Sequence, residues 1–270
     1  MKSTHDQIED IKRDGYTIDF ATVFNHAFEN YKKIALYSGL IILVFSVVFF
    51  IAFMGVLVAF YGAQSISEEF IKDFGNPKQT YIQQLFSMVG IAAISALFAP
   101  FGAGFLKMAD CADKDEEFNV STIFSYYKTH HFIQIFTSAF IVAVVGGAIG
   151  SVVESYFLTE PLLLFVISFT INIFISFFTY LSVPLIIFGN LKALDSLKTC
   201  FIIIGKNPLL IFGLFIVGFL CSGLGLFGCC IGIIFTIAFH TSMTYATYFS
   251  LFGAEPEEDS IDSIGKSDLE

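Results

Sequence analysis

Six long apolar runs alternate with shorter polar segments along the chain. A transmembrane helix needs about 20 apolar residues to cross roughly 30 Å of hydrocarbon, because each residue adds ~1.5 Å and every backbone group must be hydrogen-bonded within the helix. The runs extend from about Ile34 to Gly62, Leu85 to Leu106, Phe132 to Val153, Pro161 to Gly189, Pro208 to Gly225 and Phe227 to Phe252. None of them contains Asp, Glu, Lys or Arg. The pattern predicts an all-α membrane bundle of six transmembrane helices.

A short amphipathic segment precedes each odd-numbered run. Apolar residues in these segments recur at the spacing of one helix face, and each segment ends at a lysine. The stripes are Phe20, Val23, Phe24, Ala27, Phe28 and Tyr31; Val120, Ile123, Phe124 and Tyr127; and Leu194, Leu197, Phe201 and Ile204. We predict a unit of one interfacial helix and one helical hairpin, used three times. The alternative is that any polytopic protein needs basic, amphipathic segments at its inner boundary.

Composition and charge indicate a membrane protein and argue against a nucleic-acid-binding protein. The 270 residues are 56% hydrophobic and only 14% charged, with a mean hydropathy of +0.76, whereas roughly a quarter of the residues of a soluble globular protein are charged. A net charge of −10 and a pI of 4.9 argue against nucleic acid as a partner, since phosphates would be repelled.

Lysine and arginine are distributed unevenly between the two sides of the predicted bundle. Twelve of the 14 fall on the side of the termini, and the other two, Lys72 and Lys78, fall on the opposite side. The positive-inside rule then predicts that both termini are cytoplasmic. The first run is too long for a signal peptide and should remain as an uncleaved anchor. The predicted regions are a polar N-terminal arm (1–17), a membrane domain (18–253) and a disordered acidic tail (254–270).

Few residues of the sequence suggest a catalytic, metal-binding or cofactor-binding site. His240, followed by Thr241 and Ser242, is the only ionisable residue within a run, which makes these three a candidate intramembrane polar site. We favour a neutral imidazole hydrogen-bonded to a neighbouring helix, because no carboxylate shares that run. The other histidines (His5, His26, His130 and His131) lie in or beside the cytoplasmic boundary. They suggest no metal site, and no motif indicates a cofactor or a catalytic group. The acidic cluster from Asp113 to Glu117 is predicted to be a solvated loop.

Cysteines and prolines in the runs suggest local features. Cys221 and Cys230 are symmetric about the turn at Gly223 to Gly228, near the predicted outer surface, so a disulfide is geometrically possible. The alternative is that they are buried small apolar residues. Pro100 and Pro184 each remove a backbone hydrogen bond and should kink their helices. Matched kinks would line a central cavity of the kind found in transporters. The alternative is that each kink is only local, because neighbouring helices can satisfy the carbonyl that a proline frees.

Three stretches carry a family resemblance. They are the segment from Phe20 to Lys33, the segment from Ala193 to Pro208, and the pair Tyr245 and Tyr248 near the end of the last run. With these, the chain resembles the uncharacterised six-helix inner-membrane proteins of bacteria, some of which are fused to glycerophosphodiester phosphodiesterases. Related chains often carry a carotene-monooxygenase label. The resemblance implies a multi-pass protein of the bacterial inner membrane. The histidine pattern does not favour oxygenase chemistry, and the chain has no recognisable hydrolase domain.

Three functions are compatible with the sequence. A non-enzymatic membrane scaffold or accessory subunit fits best, because it needs only the bundle, its interfacial segments and a tail. A carrier of lipid or of a small apolar solute comes second, and a membrane enzyme third. The expected partners are the lipid bilayer and other membrane or cytoplasmic proteins. A polar cavity around His240 would favour the second and third functions, whereas a closed bundle would favour the first.

Overall fold

The computed structural model describes residues 4–61, 81–157, 160–227 and 232–253. Over these ranges the chain is helical and contains no strand. The helices are α1 (Thr4–Asp14), α2 (Phe20–Tyr61), α3 (Tyr81–Asp113), α4 (Val120–Ile123), α5 (His131–Phe157), α6 (Pro161–Phe178), α7 (Ser182–Ile187), α8 (Ala193–Lys206), α9 (Pro208–Gly223) and α10 (Gly232–Phe252). Two 3₁₀ turns cover Ser125–Tyr127 and Leu224–Phe227. The predicted all-α class is confirmed.

Five helical segments are long and apolar enough to cross a membrane. They are Phe20–Val56, Ile82–Asp113, His131–Phe157, Pro161–Ile187 and Pro208–Phe227, and they correspond to the first five predicted runs. The sixth run forms α10, a helix of 21 residues that packs against α2, α3 and α9. α10 is more polar than the other five segments, and its second half is largely buried. The chain is therefore an all-α polytopic bundle with its most polar long helix near the centre.

One end of the bundle collects the positive charge. All lysines and arginines of the described ranges lie in three segments, 4–33, 107–131 and 188–206. Side chains join these segments in space: His26 Nε2 lies 2.7 Å from Asp113 Oδ1, and His131 Nε2 lies 2.9 Å from Asn190 Oδ1. The end of α10 joins the same region through Phe249, which packs on Phe188. We call the region formed by residues 4–33, 107–131, 188–206 and 245–252 the lysine-rich end.

The central helix α10 runs antiparallel to α2. At one point the ring of Phe235 packs so closely on Gly39 that a methyl group there would clash with it, so this packing favours glycine. Beyond Gly39, α2 continues for 22 residues to Tyr61, or about 33 Å. Before Phe235, α10 has only three residues. The described part of the α9–α10 hairpin is therefore shorter than α2, and residues 228–231 of the turn, which the sequence analysis placed near the outer surface, lie outside the described residues.

The fourth apolar run is interrupted before Pro184. α6 ends at Phe178, a short turn follows, and α7 begins at Ser182. Pro184 cannot donate to the carbonyl of Tyr180, and its ring would crowd that carbonyl in a regular helix. In the turn, the Tyr180 N–H instead donates to the Phe177 carbonyl, and the Ser182 N–H to that of Thr179. At Pro100, by contrast, α3 continues as one helix.

The three amphipathic segments take three different forms. The first is continuous with its transmembrane segment in α2. The second is a single turn, α4, whose N-terminus is capped by Asn119. The third is a separate helix, α8, but its buried face includes Ser196, Cys200 and Ile203. Leu194 and Phe201 of the predicted stripe are exposed, so α8 has apolar residues on two faces.

Residues 4–14 form a helix that the sequence analysis did not anticipate within the polar arm. α1 buries Ile8 and Ile11 in the same cluster as Cys200 and Ile203. It ends at Gly15, whose φ of +77° suits the left-handed cap that glycine favours. α1 therefore packs against α8 at the lysine-rich end.

Candidate functional site

A buried carboxylate organises the C-terminal end of α3. Asp110 is 2% exposed, and its two oxygens lie 2.6 Å from Lys107 Nζ and 2.8 Å from Lys114 Nζ. The lysines are three residues before and four residues after Asp110, a spacing that places all three side chains on one helix face. Asp110 is thus a buried charge with two cationic partners.

Tyr245 connects this end of α3 to the central helix. Its hydroxyl donates to Asp113 Oδ2 at 3.1 Å and lies 3.5 Å from Asp110 Oδ1. The other oxygen of Asp113 pairs with His26 of α2. The Tyr245 ring is fully buried and packs against Phe249, with ring centroids 4.5 Å apart. One tyrosine therefore bridges two carboxylates from within the core.

Side chains of α2 also hold the end of α3. Buried Asn30 donates to the carbonyl of Ala109 at 2.7 Å and accepts a hydrogen bond from Ser242 of α10 at 3.0 Å. Lys33 donates to the carbonyl of Ala112 at 2.9 Å. The carbonyl of Ala112 is one of the last four of α3, which lack a partner within the helix, so Lys33 satisfies a group that the helix leaves open, whereas Asn30 adds a bond to a carbonyl one residue before them. We call Asn30, Asp110, Asp113, Ser242 and Tyr245, with His26 and the three lysines, the polar network.

A second group of hydrogen bonds ties α5 to the α7–α8 region. The hydroxyls of Ser138, Ser182 and Ser196 form a buried chain, with oxygen–oxygen distances of 2.8 and 3.1 Å. Near it, Gln134 accepts from the backbone N–H of Ala193 at 3.0 Å. Three different helices contribute the three hydroxyls, so this chain fixes their relative positions.

The candidate site at His240, Thr241 and Ser242 does not form a single cluster. Ser242 points to Asn30 of α2, whereas the His240 ring packs between Tyr180 and Phe215, with centroids 5.5 and 5.7 Å away. Residues two apart on a helix project about 200° from each other, which explains the separation. Thr241 is half-buried between them.

The imidazole of His240 differs from the expectation in one respect. Its Nδ1 is buried and has no hydrogen-bond partner among the described residues, whereas the sequence analysis expected a hydroxyl or carbonyl on a neighbouring helix. Nδ1 faces Gly218 of α9, at which an added Cβ would lie 3.2 Å from this nitrogen, and glycine has no side chain to bond it. The contact with a neighbouring helix is made by the backbone instead, since the His240 N–H donates to the hydroxyl of Ser222 at 3.0 Å.

The structure bears differently on the predictions made for Asp113, for the cysteine pair and for Pro184. Asp113 was predicted to lie in a solvated loop, but it ends α3 and binds Tyr245 and His26. Cys221 is half-buried, and Cys230 lies outside the described residues, so their pairing stays a prediction. Pro184 accompanies the break between α6 and α7. The acidic tail and the two lysines predicted on the outer side also lie outside the described residues.

The described part of the chain gives no support for a metal centre. Among those residues, no group of three or more His, Cys, Asp or Glu side chains is placed to hold an ion. Burial raises the pKa of the Cys200 thiol to about 12, so this cysteine is a poor nucleophile at neutral pH.

Sequence analysis missed Asp110, the most buried charged group of the polar network. A signal was present, because Lys107, Asp110 and Lys114 continue the helical spacing of the second run past Leu106. Comparison of the chain with protein-family models, with curated proteins and with solved structures gives no match. The resemblance to the six-helix inner-membrane family therefore stays a prediction.

Proposed function

We propose that the chain is a non-enzymatic membrane scaffold or accessory subunit. The observation that carries this proposal is the polar network, whose buried side chains bind one another and the end of α3. An active site requires polar groups that converge on a cavity and can reach a substrate. Asn30, Asp110, Ser242 and Tyr245 are instead occupied in holding three helices together. That arrangement suits a rigid body that presents surfaces to partners.

The proposed location is the bacterial inner membrane, with both termini in the cytoplasm. Support comes from the lysine-rich end, which includes every lysine and arginine of the described ranges. Short loops rich in these residues remain preferentially on the cytoplasmic side. The start of the described chain and the end of α10 both belong to this end.

The lipid-carrier alternative has less support. It was motivated by matched kinks at Pro100 and Pro184 that would line a shared cavity. Pro100 and Pro184 are both buried in the bundle. The apolar groove on the outside of the bundle is lined by neither proline.

Native complexes provide the test. Full-length chain and a chain truncated after Gly253 would be cross-linked in native membranes, extracted in mild detergent and resolved by native electrophoresis with protein identification. We expect the full-length chain to migrate in a complex of fixed stoichiometry. If the acidic tail binds a cytoplasmic partner, truncation should release that partner without lowering the membrane level of the chain.

Two results would contradict the proposal. One is a chain that migrates alone after cross-linking under conditions that preserve a known membrane complex. The other is substrate turnover, or solute movement across liposomes that contain only this chain, at rates above those of empty liposomes.

A further inference from the structure

An apolar groove lies on the outer surface of the bundle, between two membrane-spanning segments and α8. Its volume is about 530 Å³. The lining comes from α5, from α6 with the residue that follows it, and from α8, and it includes Ile141, Val145, Ile149, Phe174, Leu197 and Phe201. The hydroxyl of Thr179 donates to the carbonyl of Ile175 at 2.9 Å. The groove therefore offers apolar contacts and no free hydroxyl.

The groove is elongated along the helices. On α5 its lining extends from Ile141 to Ile149, eight residues, or about 12 Å. Leu197 and Phe201 lie at its lysine-rich end, because α8 belongs to that end. Val145 and Phe174 are exposed along its length, so the groove is open to the side. A flexible, linear apolar ligand fits this shape better than a compact one.

A cation lies beside the end of the groove. Lys198 follows Leu197 in α8 and is exposed. It forms no hydrogen bond or ion pair with the described residues, unlike Lys107 and Lys114. The exposed apolar residues of α8, Leu194 and Phe201, lie within one turn of it. Asp195, one turn before Lys198, is also exposed but forms no ion pair with it, so this part of the surface combines apolar contacts with a lysine that has no ion-pair partner among the described residues.

We propose that the groove binds one acyl chain of an anionic phospholipid from the leaflet at the lysine-rich end, with the lipid phosphate beside Lys198. The elongated groove accommodates a segment of one acyl chain, and Lys198 offers one phosphate a positively charged partner. A small apolar solute would leave the lysine unused, and a second copy of the protein would have to supply an anion at that point. The proposal does not depend on the scaffold function, since a lipid can bind a scaffold, a carrier or an enzyme in this way.

The test measures lipid binding to the purified full-length chain. Native mass spectrometry in a non-ionic detergent would follow titration with phosphatidylglycerol, with phosphatidylcholine of the same chains, and with palmitate. We expect one phosphatidylglycerol per chain, retained at lipid levels where phosphatidylcholine and palmitate are not.

Two variants examine the two parts of the site. Val145→Trp fills the groove and should weaken phosphatidylglycerol binding at least tenfold. Lys198→Gln removes the charge and should weaken it about fivefold, the factor expected for one lysine near an anionic headgroup. It should leave phosphatidylcholine unchanged. The matched control is Lys206→Gln, the same change at another exposed position of α8, which should alter binding less than twofold.

Several outcomes would overturn the proposal. They are equal binding of phosphatidylglycerol and phosphatidylcholine by the natural sequence, equal effects of Lys198→Gln and Lys206→Gln, or a dimer that excludes lipid. Palmitate binding as tight as that of phosphatidylglycerol would also contradict it. Lys198→Gln changes an exposed side chain and should fold, so the comparison decides the question even if Val145→Trp does not fold.

Discussion

Asp110→Asn should destabilise the protein much more than Asp115→Asn, although both remove a carboxylate that pairs with lysine. Asp110 is 2% exposed and has two ammonium partners. Removing one partner of a buried ion pair costs about 3–5 kcal/mol. Lys107 and Lys114 are 34% and 52% exposed, so water can solvate the ammonium groups that lose their partner. We therefore expect a loss of about 2–3 kcal/mol.

Asp115 provides the matched control for this prediction. Its carboxylate is 83% exposed and lies 2.6 Å from Nζ of Lys33. Exposed pairs of this kind contribute at most about 1 kcal/mol. One kcal/mol corresponds to roughly 2–4 °C for a chain of this size. In one detergent, the melting temperature should fall by about 5–10 °C for Asp110→Asn and by no more than about 3 °C for Asp115→Asn. Melting temperatures within 1 °C of each other would refute the reasoning from burial.

Three further predictions concern topology, reactivity and packing. Reporter fusions after Lys72 should report the outer side, and fusions after Glu117 and Lys198 the inner side; an inner signal after Lys72 would reverse the topology. Cys200, whose thiol pKa burial raises to about 12, should not react with maleimide at pH 7 until the protein is unfolded, and rapid labelling in the native state would contradict its burial. His240→Gln should change stability by less than about 1 kcal/mol, since the buried Nδ1 has no described partner to lose; loss of a cellular phenotype at normal membrane abundance would instead indicate chemistry at this residue.

The predictable part of the fold is the part that depends on local sequence. Run length and apolarity determine which segments can cross a bilayer, and the first five runs are confirmed as helices with those properties. The interruption near Pro184 also follows from local chemistry, because a missing N–H acts on the same turn of helix. Neither feature requires knowledge of what lies beside the segment in space.

The polar network could not be predicted in this way. Tyr245 and Asp110 are separated by 135 residues, and Ser242 and Asn30 by 212. A single sequence does not show which of several polar residues at a helix end will meet. The sequence analysis predicted a solvated loop only for the cluster from Asp113 to Glu117, and it did not consider Asp110. Here α2 and α10 cover that side of α3, so Asp110 is buried.

The stripe on α8 shows a related limit of periodicity. Leu194, Leu197 and Phe201 have helical spacing, and a soluble protein would bury such a stripe in its core. In this chain the core face contains Ser196, Cys200 and Ile203, while Phe201 stacks on Phe178 at the edge of the groove. Where the surroundings of a helix are apolar, hydrophobicity no longer distinguishes the face toward the protein from the face toward the lipid.

The shortness of the α9–α10 hairpin and the composition of its turn are physically related. Phe235 faces Gly39, so the first described turn of α10 lies beside a part of α2 that is apolar and far from either end. A turn at an aqueous surface usually contains polar or charged residues. The segment 223–235 consists instead of large apolar residues, glycines, Cys229 and Cys230. Phe227 is 90% exposed. The open backbone groups of such a turn need partners from the protein itself, and Thr236 supplies one by donating to the carbonyl of Ser222. The need to satisfy this carbonyl explains a hydroxyl at position 236. It also accounts for part of the polarity that distinguishes α10 from the other long helices.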